Sequence, residues 1–391
     1  MFQFNEFLSP VDLEKIKSEK DFLPHQIGSC ISINTNSNQF VLSTEYKIAI
    51  IGVNENRGIS HENTKVAAPD EIRKYLYRLT HNASLAIADM GNLKNGFTLN
   101  DTYFALKHVL KELLAKKILP VIIGGSRDLT YANFLTYENE EQVVNLVAID
   151  SSFRIGNSEA EINAENYLSK IILFQPNFLF NYSNIGYQSY FVSKQETDLL
   201  DKLYFDTYRL GVTRTAIQES EPIIRNADFI SFDIAAIRQS EAPGNLCPSP
   251  NGFFGDEACV LSRYAGLSDK LSSIGFFGYV PEKDIHGQTA HLYAQIVWHF
   301  LEGVAARKNE FPLVNKLDYT KYTVSLKSGT TEIVFYKSKK SERWWMDIPY
   351  PSHQKIQYER QLIVPCSYND YKVACDDEMP DRWWLTFQKL R

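Results

Sequence analysis

The sequence predicts an α/β fold built around a parallel sheet, with a small β-rich module at its C-terminal end. Residues 121–123 and 143–149 are uninterrupted apolar runs, which is typical of parallel strands that are covered on both faces. Residues 102–117 place apolar side chains at helical spacing. Residues 315–391 contain strand-like runs separated by turn residues. We therefore expect three segments: an N-terminal extension at 1–44, an α/β domain at 45–312 and a C-terminal aromatic-rich β module at 313–391.

The N-terminal extension contains no residue pattern of catalytic chemistry. Ser9 followed by Pro10 predicts the start of a short helix, because Ser caps helices and Pro fits their first turn. Residues 31–42 alternate weakly between apolar and polar, which predicts a hairpin with its turn at 34–38. We expect the extension to cover an edge of the sheet.

The α/β domain opens with a predicted strand at 46–53. Pro69 predicts the start of the following helix, and Arg73 on that helix is expected to face the sheet. The loop at 59–67 between them is polar and contains His61, so it is placed to close over the end of the sheet.

The rest of the α/β domain contains further predicted strands and helices. Asn100 or Asp101 is the expected N-cap of the helix at 102–117. The remaining strands are predicted at 85–90, 177–183, 185–191, 208–211, 228–234 and 271–279, and the remaining helices at 194–203, 214–226 and 289–306.

Polar residues follow two of the predicted strands at the point where each strand ends. The carboxyl ends of parallel strands meet at one edge of a sheet, and open α/β sheets place their sites there, so we expect these side chains to gather. They are Ser126, Arg127 and Asp128 after the first strand, and Asp150, Ser152 and Arg154 after the second.

The order of these motifs resembles the ureohydrolases, the family of arginases, agmatinases and formimidoylglutamases. The resemblance covers residues 45–310 and rests on a Gly-Gly turn after a strand, a second strand that ends in Asp150, the segment Ser231-Phe232-Asp233 and a Pro-x-x-Asp tail. It implies a three-layer α/β/α sandwich around a parallel sheet. It also implies hydrolysis of a linear C–N bond with two manganese ions, which the family holds through histidines and aspartates of these motifs.

The residues that would hold these metals have changed in this chain. Two of the six ligand positions keep a carboxylate. The chain has no histidine between His108 and His286, the interval from which the family takes its ligand histidines. Carried over from the family motifs, the six positions fall on Arg127, Asp150, Ser152, Arg154, Asp233 and Ala235.

Two arginines at these positions disfavour a metal. A divalent ion about 4 Å from a guanidinium is repelled by roughly 8 kcal/mol at an effective dielectric near 20, and arginine does not lose its proton. We therefore predict that no metal cofactor is bound and that Arg127 and Arg154 take its place. They are expected to form charge-assisted hydrogen bonds to Asp150 and Asp233, with Asp128 as a further acceptor.

Three interpretations of these residues stay open at this point. The first is a partly buried ion-pair network that binds no ligand. The second is a pocket in which Arg127, Arg154 and Ser126 bind a small anion, because guanidinium groups suit carboxylates. The third is metal-dependent hydrolysis with one hard cation, held by the three nearby aspartates and water.

The C-terminal module is expected to form a small antiparallel sheet. Trp344-Trp345 and Trp383-Trp384 make it aromatic-rich, and these rings either pack against the α/β domain or form a docking surface, because Trp, Tyr and Arg dominate interface energetics. Its strands are predicted at 322–327, 331–336 and 343–348.

The composition is that of an ordinary soluble protein. The net charge of −6 and the pI near 5.8 exclude a general attraction to nucleic acid. No apolar run approaches the 18 or so residues of a membrane span, and the first residues lack the pattern of a signal peptide, so we expect a cytoplasmic location without membrane insertion. The five cysteines form no Cys-x-x-Cys motif, and buried free thiols are expected, Cys366 and Cys375 included.

These observations lead to one functional prediction and one alternative. The prediction is a catalytically inactive ureohydrolase-fold protein that acts as a binding or scaffold component. Its protein partner is expected at the C-terminal aromatic module, and the resemblance implies a homo-oligomer. The alternative is a manganese-dependent amidinohydrolase of the formimidoylglutamase or agmatinase type.

Overall fold

The protein contains a large, mostly parallel sheet and a separate antiparallel sheet. The computed structural model describes residues 4–17, 21–36, 40–59, 67–82, 84–138, 142–310, 316–326, 331–349 and 355–391. The large sheet contains β1 (Leu8–Ser9), β2 (Ser32–Ile33), β3 (Ile48–Val53), β4 (Ile87–Leu93), β5 (Leu119–Ile123), β6 (Val144–Ile149), β7 (Leu179–Tyr187), β8 (Asp206–Arg209), β9 (Phe229–Asp233) and β10 (Ser273–Phe277).

The strand order of the large sheet is β1-β4-β3-β5-β10-β9-β6-β7-β8, and β2 also pairs with β4. All pairs are parallel except β1 with β4. The central strands β3, β5, β6, β9 and β10 are buried along their whole length. This confirms the continuous apolar runs as strands that are covered on both faces.

Helices cover the two faces of this sheet. Alternate residues of β3 point to opposite faces: Ile48 and Ile50 pack in one apolar cluster, and Ala49 and Ile51 in another. None of the described helices is long and apolar enough to cross a membrane. The helices of the α/β region are α1 (Phe4–Phe7), α2 (Leu13–Ile16), α3 (Ile27–Cys30), α4 (Ala68–Leu76), α5 (Leu99–Ala115), α6 (Leu129–Leu135), α7 (Tyr167–Ile172), α8 (Lys194–Lys202), α9 (Leu210–Thr215), α10 (Ser220–Arg225), α11 (Gly255–Leu267) and α12 (Gln288–Ala305).

The N-terminal extension covers the β4 edge of the sheet, as expected, but with different elements. Ser9 lies in β1, which pairs antiparallel with β4, and the short helix α2 begins after Asp12, whose side chain accepts the N–H of Glu14. Residues 32–33 form a strand parallel to β4, so the predicted hairpin is wrong there. Residues 37–39 of its predicted turn lie outside the described residues.

Arg73 faces the sheet, as predicted. Arg73 lies one turn after Pro69 on α4, and its guanidinium is fully buried. Its Nε and Nη2 donate to the two carboxylate oxygens of Asp89 on β4, each at 2.8 Å. This bidentate pair fixes α4 on the sheet, because a buried charge without its partner is costly. The neighbouring loop segment 60–66, which includes His61, lies outside the described residues.

Two helix predictions need correction. Helix α5 is capped by Thr98 rather than by Asn100 or Asp101, and the Asp101 carboxylate instead accepts the Thr98 N–H in a capping box. The helix predicted at 214–226 is two short helices, α9 and α10, joined by a 3₁₀ turn. Pro222 lies in the first turn of α10, where its missing N–H is tolerated, whereas it would break one continuous helix.

The C-terminal module contains more strands and helices than predicted. Its sheet has four antiparallel strands in the order β11-β12-β13-β14, and the fourth strand and the two longer helices were not predicted. The predicted turn at 328–330 lies outside the described residues, and the domain limits stay a prediction. The elements are β11 (Tyr319–Ser325), β12 (Glu332–Ser338), β13 (Trp344–Asp347), α13 (Lys355–Tyr358), β14 (Ile363–Cys366), α14 (Tyr368–Cys375) and α15 (Asp381–Leu390).

Buried polar contacts join this module to the α/β domain. The guanidinium of Arg225 on α10 lies 4.3 Å from the ring centre of Trp345 and donates to the Trp344 carbonyl at 3.1 Å. Lys389 on α15 donates to the side chain of Asn181 on β7 at 2.6 Å. Trp345 therefore packs between the module and the α/β domain, which is the first of the two roles expected for these rings.

The cysteines are free, and their burial was only partly predicted. Cys366 on β14 and Cys259 on α11 are buried. Cys375 is exposed because it lies in the last turn of α14, and Cys30 and Cys247 are also exposed.

Lys270 is buried at the junction between the α/β domain and the module. Its Nζ donates to Asn226 Oδ1 at 3.0 Å and to Gln361 Oε1 at 3.2 Å, and it lies 3.7 Å from Asp228 Oδ2. Burial lowers the pKa of Lys270 to about 8, although Asp228 opposes this change.

Replacing Lys270 by Met should therefore alter the pH dependence of stability. The unfolded lysine has a pKa near 10.5 and the folded one a pKa of about 8, so the unfolded chain binds more protons between these values. The parent protein gains stability as pH rises through this window. The Lys270→Met variant lacks that gain, so the unfolding free energy of the parent should rise relative to the variant by about 3 kcal/mol across the window.

Urea denaturation of both proteins over a pH series measures this difference. The exposed Lys202 provides a matched control, since Lys202→Met should leave the pH dependence unchanged. Parallel pH curves for the parent and Lys270→Met would contradict the lowered pKa.

Candidate functional site

The candidate site lies at the carboxyl ends of four adjacent strands. β5, β10, β9 and β6 are neighbours in the sheet in that order. Arg127 follows β5, Asp233 is the last residue of β9, and Asp150 follows β6. The parallel register places these three residues at one edge, where open α/β sheets build their sites.

A glycine turn brings Arg127 to this edge. Gly124 and Gly125 both have positive φ angles, of 84° and 77°, which glycine adopts without steric cost. A Cβ atom on Gly124 would lie 2.8 Å from the carbonyl oxygen of Val53 on the neighbouring strand. The chain can therefore turn sharply out of β5 and into α6, with Arg127 pointing back over the sheet.

Arg127 lies between the two predicted aspartates. Its side chain is 5% exposed, with Nε 3.0 Å from Asp233 Oδ2 and Nη1 3.7 Å from Asp150 Oδ2. Neither nitrogen has a partner at hydrogen-bond geometry among the described residues. The contacts are therefore ion pairs whose N–H groups are not aligned with the carboxylates.

Arg154 forms the better aligned pair. Its Nε and Nη2 donate to the two oxygens of Asp150 at 2.9 and 2.8 Å, and its Nη1 donates to Glu165 at 2.8 Å. Its backbone is left-handed, with a φ of 60°, which is uncommon for a residue with a side chain. This local backbone turn directs the guanidinium back to the carboxylate four residues earlier in the chain.

Asp233 occupies space that a side chain at position 278 would need. Its Oδ1 accepts the backbone N–H of Ala235 at 2.7 Å. Gly278 has a φ of 85°, and a Cβ atom there would lie 2.9 Å from Asp233 Oδ2. The glycine therefore leaves room for the Asp233 carboxylate to turn toward Arg127.

The site is buried and its charges are closely balanced. Burial raises the pKa values of Asp150 and Asp233, and the charge of Arg127 opposes the rise in both. The two aspartates also raise the pKa of Arg127, although burial acts against this. Two arginines therefore face two aspartates, with the exposed Glu165 as a further acceptor for Arg154.

Two predicted residues take other partners. Asp128 was expected to accept from an arginine, but the hydroxyl group of Tyr103 on α5 donates to it instead. Ser126 is fully buried, and its hydroxyl group donates to the Glu55 carbonyl at 3.2 Å. Neither residue therefore joins the Arg127 contacts, because both point toward the neighbouring α5 and β3 side.

Ser152 and Ala235 line a cleft beside the ion pairs. The cleft has a volume of about 290 Å³. Sequence reasoning placed Arg154 here but missed other lining residues on loops and on α8, whose positions no local pattern indicates. They include Glu165, Phe191, Glu196 and Cys247.

A comparison with protein families identifies the fold. The profile of the Arginase family matches residues 46–302, about two thirds of the chain. This chain belongs to the arginase family.

Individual relatives of this arginase-family protein agree with that assignment. The formimidoylglutamase of Staphylococcus aureus strain bovine RF122 / ET3-1 is 25% identical over 270 residues, which are 65% of this chain and 86% of that protein. The formimidoylglutamase of Staphylococcus haemolyticus strain JCSC1435 is 21% identical over 307 residues, 73% of this chain and 96% of the relative.

Solved structures show the same fold. Formiminoglutamase of Trypanosoma cruzi, solved with Mn²⁺, has a TM-score of 0.63 at 19% identity, covering 72% of this chain and 99% of its own. Formimidoylglutamase of Bacillus subtilis has a TM-score of 0.64 at 18% identity, covering 75% and 96%. These likenesses confirm the predicted arginase-like fold.

The residues at the strand ends of this arginase-family chain do not fit a pair of manganese ions. Arg127 Nε lies 3.0 Å from Asp233 Oδ2, and two nitrogens of Arg154 lie within 2.9 Å of the Asp150 oxygens. The carboxylate oxygens therefore already face cations. The described residues contain no cluster of three or more His, Cys, Asp or Glu side chains that could hold a metal ion. A dication would have to displace fixed positive charges.

Removing Arg127 should destabilise this arginase-family protein strongly. Arg127→Met leaves Asp150 and Asp233 close together in a buried site, and loss of one partner of a buried pair costs about 3–5 kcal/mol. Arg154→Met should also lower the free energy of unfolding. The loss of stability in both variants should be smaller at low pH, because the aspartates with raised pKa values then take up protons.

Urea denaturation of the variants at several pH values measures these losses. Lys194→Met removes a lysine from an exposed pair and should change stability by less than about 1 kcal/mol. The double variant Arg127→Met/Asp233→Asn should lose less than the sum of its single variants, because it removes both charges. If both arginine variants unfold like the parent, the charge-balance interpretation is wrong.

Proposed function

We propose that this arginase-family protein is catalytically inactive and acts by binding, as a scaffold component. The observation that carries the proposal is the position of the Arg127 guanidinium between Asp150 and Asp233. Among the six positions that the family resemblance assigns to metal ligands, these two aspartates are the ones that keep a carboxylate. A fixed guanidinium beside them supplies positive charge, but it cannot coordinate a water molecule and lower its pKa as a metal ion does.

The surroundings of the cleft also support an inactive site. The described residues that line it include serines, glutamates, one arginine and one cysteine, but no histidine. Histidine is the side chain that most often transfers protons in catalysis, and such transfer contributes about 10² to 10⁴-fold to the rate. Ser152 is half-buried, and no histidine among the described residues lines the cleft beside it, so its hydroxyl group lacks the base that most often activates a serine nucleophile.

The surface proposed for partner binding lies on the C-terminal module. Most of its aromatic rings pack internally, such as Trp344 against Tyr371 with ring centres 4.9 Å apart. Tyr368 and Trp384 are the large aromatic side chains of the described module that remain exposed, by 52% and 46%. Amphipathic rings of this kind are frequent binding hot spots.

The alternative is a manganese-dependent amidinohydrolase of the formimidoylglutamase or agmatinase type. It is supported by the names of two curated relatives, both formimidoylglutamases. This chain matches them over 86% and 96% of their lengths. It requires that the ion pairs open and that the aspartates turn toward a metal, at the electrostatic cost described above.

Metal content separates the two functions. We expect protein produced in manganese-rich medium to contain close to no manganese by elemental mass spectrometry, with an unchanged melting temperature in excess manganese. We also expect no hydrolysis of formiminoglutamate, agmatine or arginine. Tightly held manganese together with a raised melting temperature would contradict the proposal and favour the alternative.

A variant with the family ligands restored provides the positive control. Arg127→His, Ser152→His, Arg154→Asp and Ala235→Asp together return side chains that bind metal to the positions given by the family motifs. This variant should bind manganese and be stabilised by it, because ligand binding to the folded state raises stability. It also verifies that the assay detects metal uptake on this scaffold.

Loss of the two exposed aromatic side chains of the module should reduce partner binding. We expect Tyr368→Ala/Trp384→Ala to lose about tenfold or more in affinity for a partner isolated with the parent protein, because a hot-spot residue contributes about 2 kcal/mol or more. Phe97→Ala removes a side chain that is 96% exposed on the α/β domain and serves as control. Equal binding by both variants in surface plasmon resonance would contradict a partner surface on the module.

A further inference from the structure

A second and larger cleft lies at the opposite edge of the large sheet. Its walls include the first residues of β5 and β6, the residue before β3 and the segment that precedes β10, so it opens at the amino ends of the strands. The last turns of α5 and α12 complete it. Its volume of about 840 Å³ is within the range of small-molecule sites.

The charged side chains that line this cleft are almost all basic. Among the described residues there is one carboxylate, Asp269, which accepts the backbone N–H of Glu310 at 2.7 Å. The cations are Lys47, Lys111, Lys117, Lys270, Arg307 and Arg360.

Two of these cations share one carboxylate, and the other four form no ion pair within 4 Å of a described residue. Lys270 and Arg360 share the buried Asp228, at 3.7 and 2.7 Å. Arg307 donates to the neutral carbonyl groups of Gly266 and Leu271, at 2.9 and 3.3 Å. The ammonium groups of three exposed lysines, 47, 111 and 117, have neither an ion pair nor a hydrogen bond with any described residue.

This concentration of positive charge is opposite to the charge of the whole chain, which is −6. A concave surface lined by one sign of charge focuses the field and attracts ions of the other sign. Part of the positive charge offsets the carbonyl ends of α5 and α12, where cations are favourable. The two helix ends do not require all four unneutralised groups, because the partial charge at each helix end is about half an elementary charge.

The remaining walls are apolar. Leu85, Leu114, Ile118, Val144 and Val304 line the cleft between the basic side chains. The cleft therefore offers an apolar surface beside a multiply charged cationic rim, and lysine ammonium groups are common ligands of phosphate.

We propose that this basic cleft binds a small molecule that carries phosphate groups on an apolar or aromatic body. The proposal is independent of the site at the carboxyl ends of the strands and of any activity there. The phosphate groups contact Lys47, Lys111 and Lys117, and the body of the molecule packs on the apolar wall.

Isothermal titration of the full-length protein with ADP and with inorganic pyrophosphate, both in EDTA, tests this proposal. The two probes carry the same number of phosphate groups but only ADP has an aromatic body. We expect ADP to bind more tightly than pyrophosphate, and both to bind less tightly as the salt concentration rises from about 50 to 200 mM, because exposed charges are screened.

A pair of double variants with the same change in net charge provides the control. Lys111→Glu/Lys117→Glu should weaken ADP binding by at least about tenfold, because each reversal replaces an attraction by a repulsion. Lys202→Glu/Lys321→Glu changes two exposed lysines that do not line the cleft and should leave binding unchanged.

Three outcomes would overturn the proposal. If neither ADP nor pyrophosphate binds at low salt, the cations only offset the helix ends. Equal weakening by both double variants would show a general charge effect. Equal affinity for the two probes would exclude the apolar body and leave inorganic phosphate as the ligand. Circular dichroism verifies that the variants are folded, and the corresponding alanine variants replace any that are not.

Discussion

The central strands of this protein depend on charge compensation at their carboxyl ends. β5, β6 and β9 each deliver a charged side chain to the same buried edge, and the register of the sheet fixes where these groups stand. In this environment a carboxylate without a partner costs several kcal/mol. In the structure guanidinium groups, which are permanent cations, face these carboxylates. The burial of Arg127 and the left-handed backbone at Arg154 both follow from that solution.

The fold was largely predictable because its central strands are covered on both faces. Such strands are continuous apolar runs, and 121–123 and 143–149 are recognisable without any other information. The errors are in elements whose stability comes from contacts made elsewhere. β1 and β2 have two residues each, too few to show a periodicity, and they exist because the edge of β4 offers unpaired backbone groups. The later part of the module was missed since its helices depend on packing against the sheet.

The candidate site was predictable to the extent that motif order determines position. The ends of adjacent parallel strands meet, so Arg127, Asp150 and Asp233 could be placed together from the sequence. The contact between Arg154 and Glu165 could not, because it crosses a polar loop whose conformation the local sequence does not determine. Asp128 was assigned to an arginine, although the nearer donor is Tyr103, which is far away in the sequence. The metal-free, inactive state of the site stays a proposal.

The glycine at position 278 has a consequence for how such a site can change over time. Because a Cβ atom there would lie 2.9 Å from Asp233 Oδ2, a substitution of Gly278 would also require that carboxylate to move. Replacing one arginine with a neutral ligand leaves buried negative charge unpaired, and adding a further acid increases that charge. A single step that removes an arginine or adds an acid therefore passes through a less stable protein, even where the complete set of changes is favourable. We therefore expect metal ligands to be acquired at these positions only when several residues change together, because each change of charge needs another to compensate it.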